Sequence, residues 1–323
     1  MQSKVSKLPV KQLLSIDWRK YMVYIAFVVV FIFFAVTLQD QGFLTTNNLL
    51  NIIRQTAIIA IMAVAMTFVI GAAQIDLSIG SIAALSALIC ALSLQAGIPI
   101  IFSSLIGLST GVVIGLINGL LVTKLSIPSF LVTLGMMIII SGVAMWITHT
   151  APVPILNDTY NFLFGGGSIG GIPILFFWML VIAVIGHVIL KKTPFGRKTL
   201  ATGGNENAAR FTGININRVK LLVMTASGAA AALAGMLYAG RMSSGRYTFG
   251  EGDEMSVIAA VILGGTSLFG GTATVIGSVI GSLMIGMINN GLIIMGLDVS
   301  QQNVVKGLII ILAVAFSKKA IQR

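Results

Sequence analysis

The side chains able to move a proton, hold a metal or grip a phosphate are few and scattered. The acids are Asp17, Asp40, Asp76, Asp158, Glu206, Glu251, Asp253, Glu254 and Asp298, and each falls at the end of an apolar run or between two runs. His149 and His187 are far apart, and Cys90 is the one cysteine, set within an apolar run. No HExxH and no paired Cys/His spacing is present, so no metal centre is expected. The glycine-rich stretches Leu163–Gly171 and Leu263–Gly271 lack the lysine and the strand-to-helix setting of a phosphate loop, and no GxxxxGK[ST] occurs. The chain is therefore expected to bind no cofactor and to hydrolyse no ATP by itself. A relay of acids or histidines within the bilayer, the usual mark of an ion-driven carrier, is also missing.

What remains is the chemistry of recognition and positioning. Asp76, in Gln74-Ile75-Asp76-Leu77-Ser78-Ile79-Gly80-Ser81, stands at the head of an apolar run. It either caps the helix that follows or, with Ser78, makes a polar contact at an inner mouth, where Gly264 and Gly265 are further gate candidates. Asn118, Asn289 and Asn290, with Gln55 and Thr56, either line a polar path or bond helix to helix. Arg241, Arg246, Glu251, Asp253 and Glu254 make a mixed-charge loop. It is either a solvated turn or a docking surface for an extracytoplasmic partner.

The most organised polar stretch is the island 191–220, KKTPFGRKTLATGGNENAARFTGININRVK, which holds seven of the chain's twenty Lys and Arg residues and one acid, Glu206. Asn205 can cap a short helix, Glu206 lies at its positive end, Ala208 and Ala209 favour it, and Gly213 can end it. A helix of about two turns does not persist alone in water and needs a surface to dock on.

These segments need a scaffold, and composition says which. Of 323 residues, 57% are hydrophobic and 9% charged, with mean hydropathy +1.02. A soluble domain carries about 25% charge. The expected fold is an all-α polytopic membrane protein. The net charge of +11 lies beside apolar runs rather than in a basic stripe with interleaved aromatics, which excludes nucleic-acid binding. Ten spans follow: 21–38, 49–70, 76–96, 98–121, 129–148, 172–190, 219–240, 255–269, 273–296 and 302–317. The first follows Lys4, Lys7, Lys11, Arg19 and Lys20 and is read as uncleaved. The eighth is short and glycine-ended, so it is broken or only partly inserted. With both termini inside, sixteen of the twenty basic residues fall on the cytoplasmic side or its flanks. Trp146 and Trp178 then stand near the outer interface and Trp18 near the inner one.

Ile114-Gly115-Leu116-Ile117-Asn118-Gly119-Leu120 resembles Ile285-Gly286-Met287-Ile288-Asn289-Asn290-Gly291-Leu292. The first copy ends inside and the second outside, which predicts an inverted repeat of five plus five spans within a single domain, 1–323. Gly107, Gly111, Gly115 and Gly119 at four-residue spacing build a groove for close helix packing or sliding, as do Ser227, Ala231 and Gly235, and Gly277 and Gly281.

Several motifs in order then resemble one family. Gly203-Gly204-Asn205-Glu206-Asn207-Ala208-Ala209-Arg210-Phe211-Thr212-Gly213-Ile214 is similar to the cytoplasmic coupling loop of the ribose-type sugar permeases of bacterial ABC importers. Ile75–Ser81 resembles that family's GIDLSVGS, Ile258–Leu268 its IAAVVLGGTSL, and Asn289–Leu292 its NNGL. The likeness runs from about Phe43 to the end, with departures at Gln74, Asp253–Ser256 and Thr272–Thr274. It implies a permease without its own ATPase site, paired with a second permease subunit, like or unlike. A cytoplasmic ATP-binding subunit holding ATP and Mg would grip each coupling loop, and an extracytoplasmic binding protein would deliver a monosaccharide or related polyol. Asn205, Glu206, Ala208, Ala209 and Gly213 would form the grip. The residues alone also admit a self-sufficient ion-coupled carrier of small polar solutes, or a membrane scaffold that recruits a partner.

Overall fold

The computed structural model describes residues 18–321, so the basic tail and Asp17 lie outside the described residues. It is a bundle of helices: α1 Trp18–Thr37, α2 Thr46–Gly71, α3 Ile79–Gln95, α4 Ile100–Lys124, α5 Ser129–Thr148, α6 Asp158–Asn161, α7 Ile174–Lys192, α8 Pro194–Gly204, α9 Glu206–Phe211, α10 Ile216–Met242, α11 Asp253–Leu263, α12 Val275–Ile294 and α13 Val299–Ile321. Two short antiparallel pairs join them: β1 Val153–Pro154 with β4 Ser244–Gly245, and β2 Ser168–Ile169 with β3 Ile172–Pro173. Among the described residues, six helices (α2, α4, α5, α7, α10 and α12) are long and apolar enough to cross a membrane, and α3 and residues 23–37 of α1 are shorter apolar helices. The protein is a multi-pass membrane protein.

Burial sorts the helices into a core and a lipid-facing layer. The apolar window of α2 is 83% buried, whereas those of α4, α5 and α7 are 28%, 22% and 22% buried. An apolar helix exposed on most of its circumference is stable only where the solvent is hydrocarbon.

The same packing occurs twice. α10 packs on α4 and α3, as α2 packs on α12 and α11; α3 packs on α4 and α5, as α11 packs on α12 and α13. The series α2–α5 thus corresponds to α10–α13. The two series run in opposite senses. α2 ends where Gly71 accepts a bond from Gly271 N (3.1 Å), beside α8, whereas α10 starts just after α9 and ends beside the β1–β4 pair. The end that carries α8 and α9 is called the loop face, and the other the far face. This is the architecture of an inverted repeat, with Asn118 and Asn290 on the corresponding helices α4 and α12.

Two predicted spans need correction. The third was read from residue 76, but its helix starts at Ile79, and residues 72–78 form a non-helical link. The eighth was read as 255–269, but α11 is an 11-residue helix ended by Gly264 and Gly265, the latter at φ +88°. At 1.5 Å per residue it spans about 16 Å, half a bilayer. Each half of the repeat therefore contains one helix whose first part is unwound: the link 72–78 before α3, and the link 243–252 before α11.

Close backbone approach holds the crossings together. A Cβ on Gly111 would run into the Gly228 carbonyl oxygen, and a Cβ on Gly228 into that of Gly111. Gly107, Gly115 and Gly119 likewise meet Cys90 and Met236, Met224 O and Leu221. The four-residue glycine row is a packing seam in which α4 lies directly on α10, with Cys90 of α3 at its far-face end. Gly277 and Gly281 do the same against Gly264 and Ala260 of α11, and Gly235 against Ala83 of α3. Helices in lipid gain little from burying apolar area against one another, so contact at this range supplies much of the cohesion.

Candidate functional site

The predicted short helix is present as α9. Asn205 caps it, with Oδ1 accepting from Ala208 N at 2.9 Å. At the other end Gly213 N bonds Arg210 O (3.0 Å) and Ile214 N bonds Ala209 O (3.1 Å), with Gly213 at φ +82°. That pair of bonds is a Schellman motif and needs a residue at ease in the left-handed region. Glu206 bonds Lys220 Nζ on α10 at 2.8 Å and Arg210 at 3.3 Å. Ala209 is buried; Asn207, Ala208 and Phe211 point outward, and the Phe211 side chain is 93% exposed. Phe211 was not singled out from the sequence, although an aromatic residue in a basic island was a visible signal.

The island also holds a helix the sequence reading missed. α8 starts at Thr193, whose Oγ1 accepts from Gly196 N (3.3 Å), with Pro194 in the first turn. Its Gly203 lies against the carbonyl of Gly71 and 2.9 Å, measured from an added Cβ, from Gly271 N. The loop is thereby seated on the end of α2 and on the turn between α11 and α12.

The Lys220 bond, then its charge, hold the Glu206 carboxyl below its ordinary value of 4.5. A depressed pKa means that the ion pair supports the folded loop fully above that value and is lost as pH falls below it. The pair is partly exposed, so its worth is under about 1 kcal/mol. Glu206→Gln should therefore free α9 from α10 without unfolding the bundle. A spin label at Asn207 should gain mobility at neutral pH in the variant, and in the parent only below about pH 4.5; equal mobility at both pH values would contradict the tie.

Asp76, Ser78 and Asn118, separated in sequence, come together. The Asp76 side chain is fully buried and accepts from Ser78 N (2.9 Å), Ser78 Oγ (2.6 Å) and Ser227 Oγ of α10 (2.7 Å). Asn118 Nδ2 of α4 donates to Ser78 Oγ at 2.9 Å. The cap reading of Asp76 is thus replaced. The helix cap is Ser78, without a side-chain cap bond, and Asp76 two residues earlier joins the link to α10. Two backbone groups of the link are met from α5: Ile75 N by Ser129 Oγ and Leu77 N by Thr133 Oγ1, both at 3.1 Å. Gly264 and Gly265 do not join this cluster through any of these bonds; they end α11, with Gly264 packed on Gly277.

Of the amides, Asn290 takes the interhelical alternative and Asn118 bonds the link before α3, while neither alternative is fixed for Asn289. Asn290 and Asn48 exchange two bonds of 2.8 and 3.0 Å, and Asn118 is held by Ser78. The Oδ1 atoms of Asn118 and Asn289 are buried without a partner among the described residues.

The mixed-charge loop needs a sharper correction. Of its five charged residues only Arg246 and Glu251 are exposed, and Arg246 borders a cavity of about 270 Å³ with Thr150, Pro152, Tyr247 and Thr248. Arg241 is half-buried under Gly165. Asp253 and Glu254 are partly buried. The link 243–252 turns back along α3, so that Gly245 meets Ala87 and Ala91, and Gly250 meets Gly80. Asp253 then accepts from Tyr238 OH at 2.7 Å, and Glu254 Oε2 lies 3.0 Å from where a Cβ on Gly80 would sit. Gly250 and Gly252, at φ +72° and +80°, allow that reversal. Among the described residues, no group of three His, Cys, Asp or Glu could hold a metal ion.

A docked-helix loop, paired unwound links and an inverted repeat fit a transport scaffold, and the comparison with known proteins is decisive. Residues 48–314 match the family described as branched-chain amino acid transport system / permease component. The chain belongs to this permease family. The permease is 42% identical to the ribose import permease protein RbsC of Bacillus subtilis (strain 168) over 285 residues, covering 88% of each chain. It is 34% identical to the L-arabinose ABC transporter permease protein AraH of Azospirillum brasilense, covering 90% of this chain and 85% of the relative. It is 35% identical to the D-allose transport system permease protein AlsC of Escherichia coli (strain K12), covering 94% and 93%. No solved structure matches the permease.

Proposed function

We propose that this permease is the transmembrane subunit of an ATP-binding-cassette importer that carries a monosaccharide, a ribose-like pentose or hexose or a related polyol, across a bacterial cytoplasmic membrane. The observation that carries this reading is similarity over nearly the whole chain to permeases named for ribose, L-arabinose and D-allose. The loop face is cytoplasmic, with both termini on that side, as the basic island requires. A separate subunit holds ATP and Mg and grips the outward face of α9 at Asn205 and Ala208, while Glu206, Ala209 and Gly213 hold that helix in place on the body. A second permease subunit completes the path, and an extracytoplasmic sugar-binding protein docks on the far face near Arg246 and Glu251.

The exposed Phe211 deepens the ATPase reading. An aromatic side chain 93% exposed at a capped helix end is the kind of anchor that dominates a protein interface once a partner buries it. Phe211→Ala should weaken retention of the ATPase subunit on the purified permease by roughly 30-fold or more, as loss of an aromatic anchor worth about 2 kcal/mol implies. Asn207→Ala, on the same face, should change it less than about threefold, as a contact at the interface rim does. Retention equal to the parent's in both variants would remove α9 as the grip.

A further inference from the structure

The link 72–78 borders α8 of the loop at its start and is bonded near its other end to α10, the helix into which the loop leads. At its start, Gly71 O accepts from Gly271 N (3.1 Å), and Gly203 of α8 lies against the same carbonyl. Near its other end, Asp76 bonds Ser227 of α10. α10 is itself tied to α9 by the 2.8 Å pair between Lys220 and Glu206. Lys220 and Ser227 are seven residues apart, so they lie on one face of α10, separated by about 10 Å along the axis. A displacement of α9 that turns or tilts the start of α10 therefore moves Ser227 with it.

The Asp76 bond lies inside the α4–α10 seam. Gly228, next to Ser227, meets the backbone of α4 at Gly111. Asn118 of α4 enters the same cluster through Ser78. The seam runs from Gly107 to Gly119, so α4 and α10 are displaced together and carry Ser227 and Asn118 with them. The first three N–H groups of the link, of Ala72, Ala73 and Gln74, finish the last turn of α2, and beyond them the chain is unwound, with the amides of Ile75 and Leu77 met by hydroxyls of α5. A segment held by side-chain bonds to three helices has a discrete alternative arrangement when one of those helices moves, which a continuous helix lacks.

We propose that Asp76 is a positioning residue that transfers movement of the α8–α9 loop to the link 72–78. Ser227 of α10, and Asn118 of α4 through Ser78, tie Asp76 to the paired helices, while Ser129 and Thr133 of α5 hold the link from the other side. This rests on the reading of the chain as an ATPase-driven sugar permease.

The bond to Ser227 can be removed without deleting the carboxylate. Ser227→Ala should lower ribose taken up per ATP hydrolysed by about tenfold in proteoliposomes containing the whole importer, as loss of one hydrogen bond to a carboxylate implies. Ser227→Thr, which keeps the hydroxyl, should restore the ratio. Hydrogen exchange at the amides of 72–78 should rise by a similar factor in Ser227→Ala and not in Ser227→Thr. Exchange reads the tie independently of transport. A parental ratio and parental exchange in Ser227→Ala would overturn the inference and leave the permease reading intact. Parallel loss of uptake, ATP hydrolysis and thermal stability would also overturn it, by assigning Asp76 a structural role only. A parent that shows no ATP-driven uptake of ribose, L-arabinose or D-allose would sink the sugar-importer reading and this inference with it.

Discussion

Gly203→Val should abolish ATP-driven uptake while leaving the chain in the membrane. Gly203 stands near the end of α8, and a Cβ there would run into the carbonyl oxygen of Gly71 and lie 2.9 Å from Gly271 N. Both obstacles are backbone, so no rotamer change relieves the clash; α8 must lift off the body. Lifting it breaks the contact that seats the loop beside the Gly271-to-Gly71 bond. The transmembrane helices are untouched, so insertion and the α4–α10 crossing persist. A coupling element displaced by an ångström or more loses function steeply, on the order of 100-fold. The neighbouring residue gives the control. A Cβ on Gly204 meets only Gly271 Cα at 3.5 Å, an ordinary contact. Gly204→Ala should transport within about twofold of the parent, as a surface change without a clash does. Uptake by Gly203→Val at the parental rate would remove α8 from the coupling route.

The second large effect is on folding. Gly228→Val and Gly111→Val should each destabilise the bundle by more than about 3 kcal/mol, because α4 and α10 meet backbone to backbone and overpacking at such a site has no side chain to displace. Little monodisperse protein should survive detergent extraction. Gly135 and Gly142 of α5 are also helical glycines, but a Cβ on either meets nothing within 4 Å. Gly135→Ala and Gly142→Ala should be neutral or stabilising by up to about 1 kcal/mol. Thermal unfolding in one detergent separates the two classes; equal melting temperatures across all four variants would contradict the packing described here.

The parts of this molecule that were legible in the sequence are those set by local chemistry. α9 was readable because Asn205 and Gly213 each do a job that few other residues can do, capping and left-handed turning. The repeat was readable because Ile114–Leu120 and Ile285–Leu292 keep the same small and polar residues on α4 and α12. α8 was missed because Gly196, Gly203 and Gly204 argue against a helix. Gly203 is there for its contact with Gly71, which lies far away in the chain. The Thr193-Pro194 start was the available signal. The length of α11 was overread because residues after Leu263 stay apolar, while the Gly264-Gly265 pair that ends it looks like any glycine turn. Asp253 and Glu254 were assigned to the outer surface because charge normally stays in water. Their placement beside Tyr238 and Gly80 follows from the folded link 243–252, which no local pattern announces. Asp76 was recognised as polar at a helix start, but its bond to Ser227 spans 151 residues of sequence and belongs to tertiary structure.

The most direct test of the central claim is ribose accumulation in proteoliposomes containing this chain, with and without its ATPase subunit. Accumulation against a gradient is expected only when the ATPase, ATP with Mg and the loaded binding protein are all present, unaffected by collapsing proton and sodium gradients. Accumulation that persists without the ATPase and vanishes when an ion gradient is collapsed would contradict it.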